Sequence, residues 1–402
     1  MENNGSISLD PAFTQYPKTI RVRISVDGKI TGTSSLDPVK METSPPIEKV
    51  IQLARDSIFE EEIYHEISVE RRQLSSYGVE LQDSVIHVPA PNPTGKNKRT
   101  VLIDCVNRDE KARQSEDHTE DFFARTVAEC LRVLLSHEHR MRLYRRSQPP
   151  PPLSQAQLKP PAIPLLRAML CLFCHIEAVD ALRDYLRRTT TTLASAGIEV
   201  AADLSYETSW LDFHKLIIDS SIRGLSAMDK LLDSFTKSFA SIAYISLPSS
   251  IDFREEITVE TRTSLSKPLY GAEYTVMIPK CVADVLHFRQ EQKREFKFNQ
   301  PSELISYLDW IFSIDLAHTS ISKDYPMFSA VDHEPMRSML LKQRGKQLRK
   351  DLIIELSKGI LKVVVQTADG VDRDDFIWDG TPGKEPFSRK LQSLAKGITE
   401  TN

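Results

Sequence analysis

The side chains best suited to chemistry come in short clusters, and each cluster misses the spacing its chemistry needs. His65-Glu66 begins the helical zinc pattern HExxH, whose two histidines stand four residues apart on one face. Val69 occupies the place of the second histidine. Glu61, Glu62, His65 and Glu66 gather on about one helical turn and read as a solvated charged face. Cys171-x-x-Cys174-His175 has the spacing of a metal or redox pair. Structural zinc takes four ligands, no second CxxC exists, and the pair sits in an apolar helix, so buried thiols are expected. Gly95-Lys96 matches the end of a phosphate-binding loop, but no glycine lies five residues before Gly95, and Asn97 replaces the required Ser or Thr. His137, Glu138 and His139 are too closely spaced for one helix face. Asp369, Asp372, Asp374 and Asp375 form an acidic loop without the alternation and closing glutamate of a calcium loop. There is no GxSxG elbow. No catalytic, cofactor-binding or metal-ligating residue is therefore assigned, no cofactor is expected, and the chain reads as a non-enzyme.

Basic clusters are the remaining chemistry. Lys96, Lys98 and Arg99 form one, Arg140, Arg142, Arg145 and Arg146 a second, and Lys342–Lys350 a third. Each suits phosphate or an acidic protein partner. Aromatic interleaving is thin, with Tyr144 alone in the second cluster, and a net charge of −4 with pI near 6.2 excludes a globally basic nucleic-acid binder. Nucleic-acid binding through these clusters is the alternative reading, and no direct nucleic-acid contact is expected. Five cysteines, odd in number and in apolar contexts, read as reduced core residues of an intracellular protein. No secretory signal and no membrane span is expected, because the most apolar stretch, Ile163–Val179, is broken by Arg167, His175 and Glu177.

The elements that position these residues are organised around one long helix, Ile47–Leu74, preceded by Pro45-Pro46 and closed at Tyr77-Gly78. Its apolar residues form two faces rather than one. Ile47, Val50, Ile51, Ala54 and Ile58 share one, and Phe59, Ile63, Ile67 and Leu74 continue on a rotated one. A helix resting on a single sheet needs only one stripe. Glu60, Glu61 and Glu62 fall between the faces and are expected to be solvated or salt-bridged. Phe59, Ile63 and Tyr64 are the candidate interface residues here, joined by Arg140, Arg142, Arg145 and Arg146 for an acidic partner. Trp210, Trp310 and Trp378 are expected core anchors, with a surface-groove role open for Trp378.

Around this helix the pattern is α+β: long helices with small mixed or antiparallel sheets, in two packed regions joined by a Pro-rich linker. Residues 1–18 read as a disordered tail. Residues 19–147 carry a hairpin (Thr19–Val26, turned by Asp27-Gly28, with Lys29–Thr33), short strands Val85–Pro89 and Thr100–Val106, and a second helix His118–Ser147. Residues 148–162 are the linker, stopped by Pro149–Pro152. Residues 163–237 are helical, with Pro164–Ala194 and Ser209–Thr236. Residues 238–402 are α+β, with strands Phe239–Leu247, Ile251–Thr263, Ala272–Ile278 and Glu295–Phe298, a helix Pro301–His318, and a C-terminal hairpin Leu352–Leu356 with Ile360–Thr367.

The stretch TIRVRISVDGKITG followed by ARDSIFEEEIYHEISVERRQLSSYGV resembles the subunit 17 family of the Mediator complex, in its fungal form. VLIDCV, HRMRLYRRSQPPPPL, IPLLRAMLCLF, SKPLYGAEYTVMIP, SELISYLDWIFSIDLA, LIIELSKGILKVVVQT and FIWDG continue the likeness in the same order. The resemblance implies a non-enzymatic scaffold of the Mediator head module. Such a subunit is nuclear, bound to other head subunits, and links regulators to RNA polymerase II and the general initiation factors through the complex. It also implies that this chain corresponds to the carboxy-terminal portion of such a subunit, without the usual N-terminal helical region. An exposed apolar patch larger than the few hundred Å² usual on monomers is expected to follow.

Overall fold

Alternation of Ile20, Val22 and Ile24 with Arg21, Arg23 and Ser25 makes β1, Lys18–Val26, one face of which is fully buried. Asp27 (φ 49) and Gly28 (φ 82) turn it into β2, Lys29–Thr33. Two successive positive φ values give the tight hairpin turn whose twist suits antiparallel strands. In the computed structural model the described residues are 17–34, 46–91, 98–108, 118–148, 163–205, 226, 228–230, 232, 239–247, 255–265, 271–280, 283, 294–319, 328–334, 338–343, 350–367 and 373–400. The expected N-terminal tail up to residue 16, the Pro-rich linker, Trp210 and most of the helix expected at Ser209–Thr236 lie outside them.

The chain divides into two compact units, Met1–Phe173 with Leu211–Ser238, and Cys174–Trp210 with Phe239–Asn402. Residues 163–237 are thus shared between the two. In the first unit the hairpin is followed by α1, Ile47–Glu70, which ends earlier than the sequence reading and continues as 3-10 turns at Arg71–Gln73 and Ser75–Tyr77. Then come β3 (Glu80–Gln82), β4 (Val85–Ala90), β5 (Arg99–Asn107) and α2 (Asp121–Ser147). The sheet order is β2-β1-β5-β4-β3, every pairing antiparallel. Both α1 and α2 pack on β1. The helix α3, Leu165–Ser195, begins in this unit and continues in the second.

The second unit holds two antiparallel meanders. One has the order β10-β9-β8-β7-β6, formed by β6 (Ala201–Ser205), β7 (Phe239–Ser246), β8 (Ile257–Ser264), β9 (Gly271–Met277) and β10 (Glu295–Phe298). The other runs β11 (Phe328–Glu334), β12 (Ser338–Gln343), β13 (Lys350–Ser357), β14 (Ile360–Thr367) and β15 (Arg373–Trp378). Helix α4, Pro301–Ala317, lies on β12 and β13 and is buried nearly all round, while α5, Phe387–Glu400, adds Phe387 and Leu391 to the same core. The expected hairpin is present, with Lys358 (φ 53) and Gly359 (φ 73) at its turn, and Leu361, Val363, Val364 and Val365 buried on both faces of β14. The fold class is α+β.

Trp378 is a core residue: only 4% exposed, its ring meets Phe387 edge-on and its Nε1 donates to the Glu385 carbonyl at 3.0 Å. That rules out the surface-groove role. Trp310 is half-buried against Tyr307. Cys130 departs from the expectation of core cysteines, lying exposed on α2, whereas Cys171 is buried and Cys105 and Cys174 are half-buried. Cys281 is outside the described residues.

Candidate interaction site

The polar residues of α1 act as fasteners before they act as anything else. β2 pairs only with the second half of β1, which leaves the backbone N–H groups of Lys18, Ile20 and Val22 open along that edge. Ser57 Oγ accepts from Lys18 at 3.0 Å, Glu60 Oε2 from Ile20 at 2.8 Å, and Ser34 Oγ from Val22 at 2.9 Å. A buried N–H without a partner is costly, so α1, with Ser34, closes an edge that no described strand covers. Glu60 is 8% exposed, not solvated, and its charge is matched by Arg132 of α2, whose Nε donates at 2.6 Å. Burial opposes the Arg132 charge, and the Glu60 carboxylate outweighs it, raising the guanidinium pKa. Glu61 pairs with Lys18 at 2.9 Å, and Glu62 meets His139 Nε2 at 2.9 Å. The three glutamates are thus salt-bridged or hydrogen-bonded, and His65, the start of the incomplete zinc pattern, is exposed.

At the far end of α1, Glu70 is 1% exposed and reaches the first turn of α3. Its two oxygens accept from the backbone N–H groups of Leu166 at 2.7 Å and Arg167 at 3.1 Å. A carboxylate on the free N–H groups of a helix start satisfies donors that have no partner within the helix. Burial pushes its pKa up to about 7, against the pull of those N–H groups.

The candidate residues divide by environment. Ile63 is fully buried in the core of its own unit. Phe59 is half-buried, its ring centroid 6.2 Å from that of His139. Tyr64 donates to the Ser84 carbonyl at 2.7 Å. Of the arginines, Arg140 Nε lies 2.9 Å from Asp229, and Arg145 lies 3.7 Å from Glu138, so both find acidic partners inside the chain. Arg142 is half-buried and Arg146 exposed. Asp229 also faces the buried His137 at 3.3 Å and Ser226 at 2.7 Å, while His139, about 200° further round α2, meets Glu62.

The other motifs are absorbed structurally. Arg99 is 8% exposed, pairs with Glu120 at 2.7 Å and stacks over the Phe123 ring at 4.0 Å, so it is not open to a phosphate. His175 contacts Thr263 at 3.1 Å and stacks on Phe239, and burial lowers its pKa. Burial raises the Cys174 thiol. Asp374 and Asp375 lie on strand β15 rather than in a loop, with Asp375 2.9 Å from Lys362, while Asp369 and Asp372 are outside the described residues. Most of Lys342–Lys350 is also outside them.

The cleft between α1, α2 and the start of β1 has a volume of about 630 Å³ and includes Lys18, Glu60 and Arg132, each already committed to an ion pair. The signal that sequence reading missed is burial itself: Glu60 and Glu70 sit at acidic positions of a helix whose pattern offers nothing to separate them from solvated glutamates. The apolar stripe Ile47, Ile51 and Ile58 is the converse, being 49%, 45% and 51% exposed. No described helix is long and apolar enough to cross a membrane.

Residues 1–193 match the family described as Subunit 17 of Mediator complex. Curated relatives carry the name Mediator of RNA polymerase II transcription subunit 17. The one from Aspergillus oryzae is 29% identical over 282 residues, covering 69% of this chain and 42% of its own length. That from Emericella nidulans is 31% identical over 199 residues (49% and 30%), and that from Aspergillus clavatus 26% over 405 residues (97% and 60%). The chain thus spans less than half the length of the first of these relatives. A chain of the Schizosaccharomyces pombe Mediator head module aligns over 80% of this chain and 64% of its own at 14% identity, with a TM-score of 0.43, too low to bear on the fold. Residues 1–193, and the longer stretches shared with these same-named relatives, are thus similar to the Mediator subunit 17 family.

Proposed function

We propose that the chain is a non-enzymatic scaffold subunit of the Mediator head module, acting in the nucleus as part of a coactivator that links transcription regulators to RNA polymerase II and the initiation machinery. Its partners are other head subunits, with the polymerase and general initiation factors reached through the complex. The observation that carries the reading is the named family match over residues 1–193. The physical chemistry agrees: the titratable groups described above serve strand edges, helix starts and ion pairs, and an apolar helix face is left to solvent. Phe59, Tyr64, Arg142 and Arg146 remain candidates for contact with those partners. The nucleic-acid alternative loses its ground where Arg99, Arg140 and Arg145 are engaged within the chain.

The test is affinity purification of the tagged full chain from nuclear extract. Recovery of the other head subunits is the expected result. A chain recovered alone, or one that retains DNA with the steep salt dependence of phosphate contacts, overturns the reading.

A further inference from the structure

Two hydroxyl residues of the chain stand directly before a proline, Ser44 and Thr381. Only Thr381 also has a basic residue three places on, in the run Thr381-Pro382-Gly383-Lys384. Ser44 has Ile47 at that place and lies outside the described residues. A proline after an acceptor hydroxyl brings no N–H, so an enzyme can enclose it in an apolar pocket without stranding a donor, and a lysine beyond it can meet an acidic group. The fold presents this run to solvent. Strand β15 ends at Trp378 and α5 begins at Phe387. Both ends are pinned, by Trp378 Nε1 donating to the Glu385 carbonyl at 3.0 Å and by the Phe387 N–H donating to the Ala196 carbonyl at 2.8 Å. Between the pins Thr381, Pro382 and Gly383 are exposed, and a Cβ placed on Gly383 would meet nothing within 4 Å.

One side chain shapes the turn. Asp379 Oδ1 accepts from the Thr381 N–H at 3.1 Å, from the Thr381 hydroxyl at 2.6 Å and from Lys384 Nζ at 2.8 Å. The turn can therefore open toward an enzyme without breaking a strand ladder or a helix. Lys384 and Thr381 hold the Asp379 carboxyl well below the usual carboxylate range, so it is charged at neutral pH. We propose that Thr381 is a phosphorylation site, used by a protein kinase that reads the proline next to the acceptor and the lysine two places beyond it. Thr381 Oγ1 forms a bond to the γ-phosphorus of ATP, the bond from that phosphorus to its bridging oxygen breaks, ADP leaves, and the hydroxyl proton passes to a base of the kinase. The product carries a charge of about −1.5 to −2 where a donor to Asp379 stood. Phosphate and Asp379 then compete for Lys384, whose Nζ lies within two hydrogen-bond lengths of Oγ1. The pins at Trp378 and Phe387 lie outside the turn, so the modification changes surface charge and leaves the core in place. This site stands whether or not the chain is an assembly subunit.

The folded full chain is incubated with ATP and a recombinant cell-cycle cyclin-dependent kinase, and phosphate is located by peptide mass spectrometry. A synthetic peptide of residues 374–390 serves as the control for access. Phosphate is expected at Thr381 in both, approaching one per chain, with an unchanged melting curve. Thr381→Val is expected to abolish it and Thr381→Ser to retain it. Pro382→Ala is expected to slow incorporation about tenfold or more, and Lys384→Gln about threefold or more. In the phosphorylated chain, the 31P titration midpoint is expected to be lower in wild type than in Lys384→Gln, because the ammonium favours the dianion. A peptide that is modified while the folded chain is not means the turn stays closed, and overturns the proposal. Failure of both overturns it at the motif. Incorporation indifferent to Pro382→Ala and Lys384→Gln overturns it as well, and equal 31P midpoints remove Lys384 as the partner of the phosphate.

Discussion

At the scale of single residues, the decisive groups are two glutamates removed from water. Glu70 has its pKa raised from 4.5 to about 7 by burial, so the folded protein holds a proton that the unfolded chain has already released. Stability from this group is fully present below about pH 4.5 and is lost as pH rises through about 7. Glu70→Gln should make that descending limb shallower, seen as a smaller fall in denaturant midpoint between pH 5 and pH 7.5 than in the wild-type chain. Glu60 behaves differently, because Arg132, Ile20 and Thr19 all donate to it. Removing one member strands the other in a buried place, so Glu60→Ala should cost about 2–4 kcal/mol, and a double-mutant cycle with Arg132→Met should show coupling of about 1–3 kcal/mol. Neither role could be read in the sequence. Glu60 and Glu61 are neighbours of one type, and only the 100° between them decides which meets β1 and which pairs with an exposed lysine.

At the scale of elements, close approach between segments sets the tolerances. Gly32 in β2 faces the backbone of Glu120, where a Cβ would lie 2.5 Å from the carbonyl carbon. Three bonds hold the same junction: Glu120 N–H to the Thr31 carbonyl at 3.0 Å, the Thr31 hydroxyl to the Glu120 carboxylate, and Thr33 N–H to Asp121 at 2.7 Å. Gly32→Ala should therefore push α2 off the hairpin at a cost of about 1–3 kcal/mol, measured by chemical denaturation. The β13–β14 turn is held in a similar way. Thr192 donates to the Gly359 carbonyl, the buried Asp309 accepts from Tyr185 at 2.7 Å, and burial raises Asp309 to about 6. Strong periodicity made most of these elements legible: β1, the turn at Asp27-Gly28, α2, α3, α4 and the β13–β14 hairpin follow from alternation, helical spacing and turn glycines. The strands β3, β6, β11, β12 and β15 and helix α5 were missed. Short or polar strands such as Glu80–Gln82 and Ala201–Ser205 carry no alternation of their own and exist because a neighbouring strand offers a ladder.

At the scale of the whole molecule, contact between distant parts of the chain replaces order along it. Asp229 belongs to the same compact unit as α2, although more than eighty residues separate it from Ser147, and it receives Arg140 and the buried His137. Asp229→Ala should leave both without an acceptor. The expected outcome in hydrogen-exchange mass spectrometry is reduced protection over α2, with β13 and β14, which belong to the other unit, retaining theirs. The sequence by itself determined the α+β class, the long helices, the two hairpin turns, the double apolar character of α1 and the likeness to the Mediator subunit 17 family. Each of these is written in local spacing or in ordered segments that survive without coordinates. Only the tertiary structure decided which face of α1 is covered, which glutamates are dry, and that Arg140 finds its acid within the chain. Burial and pairing belong to groups brought together from positions far apart in sequence, and no local pattern records the distance between them.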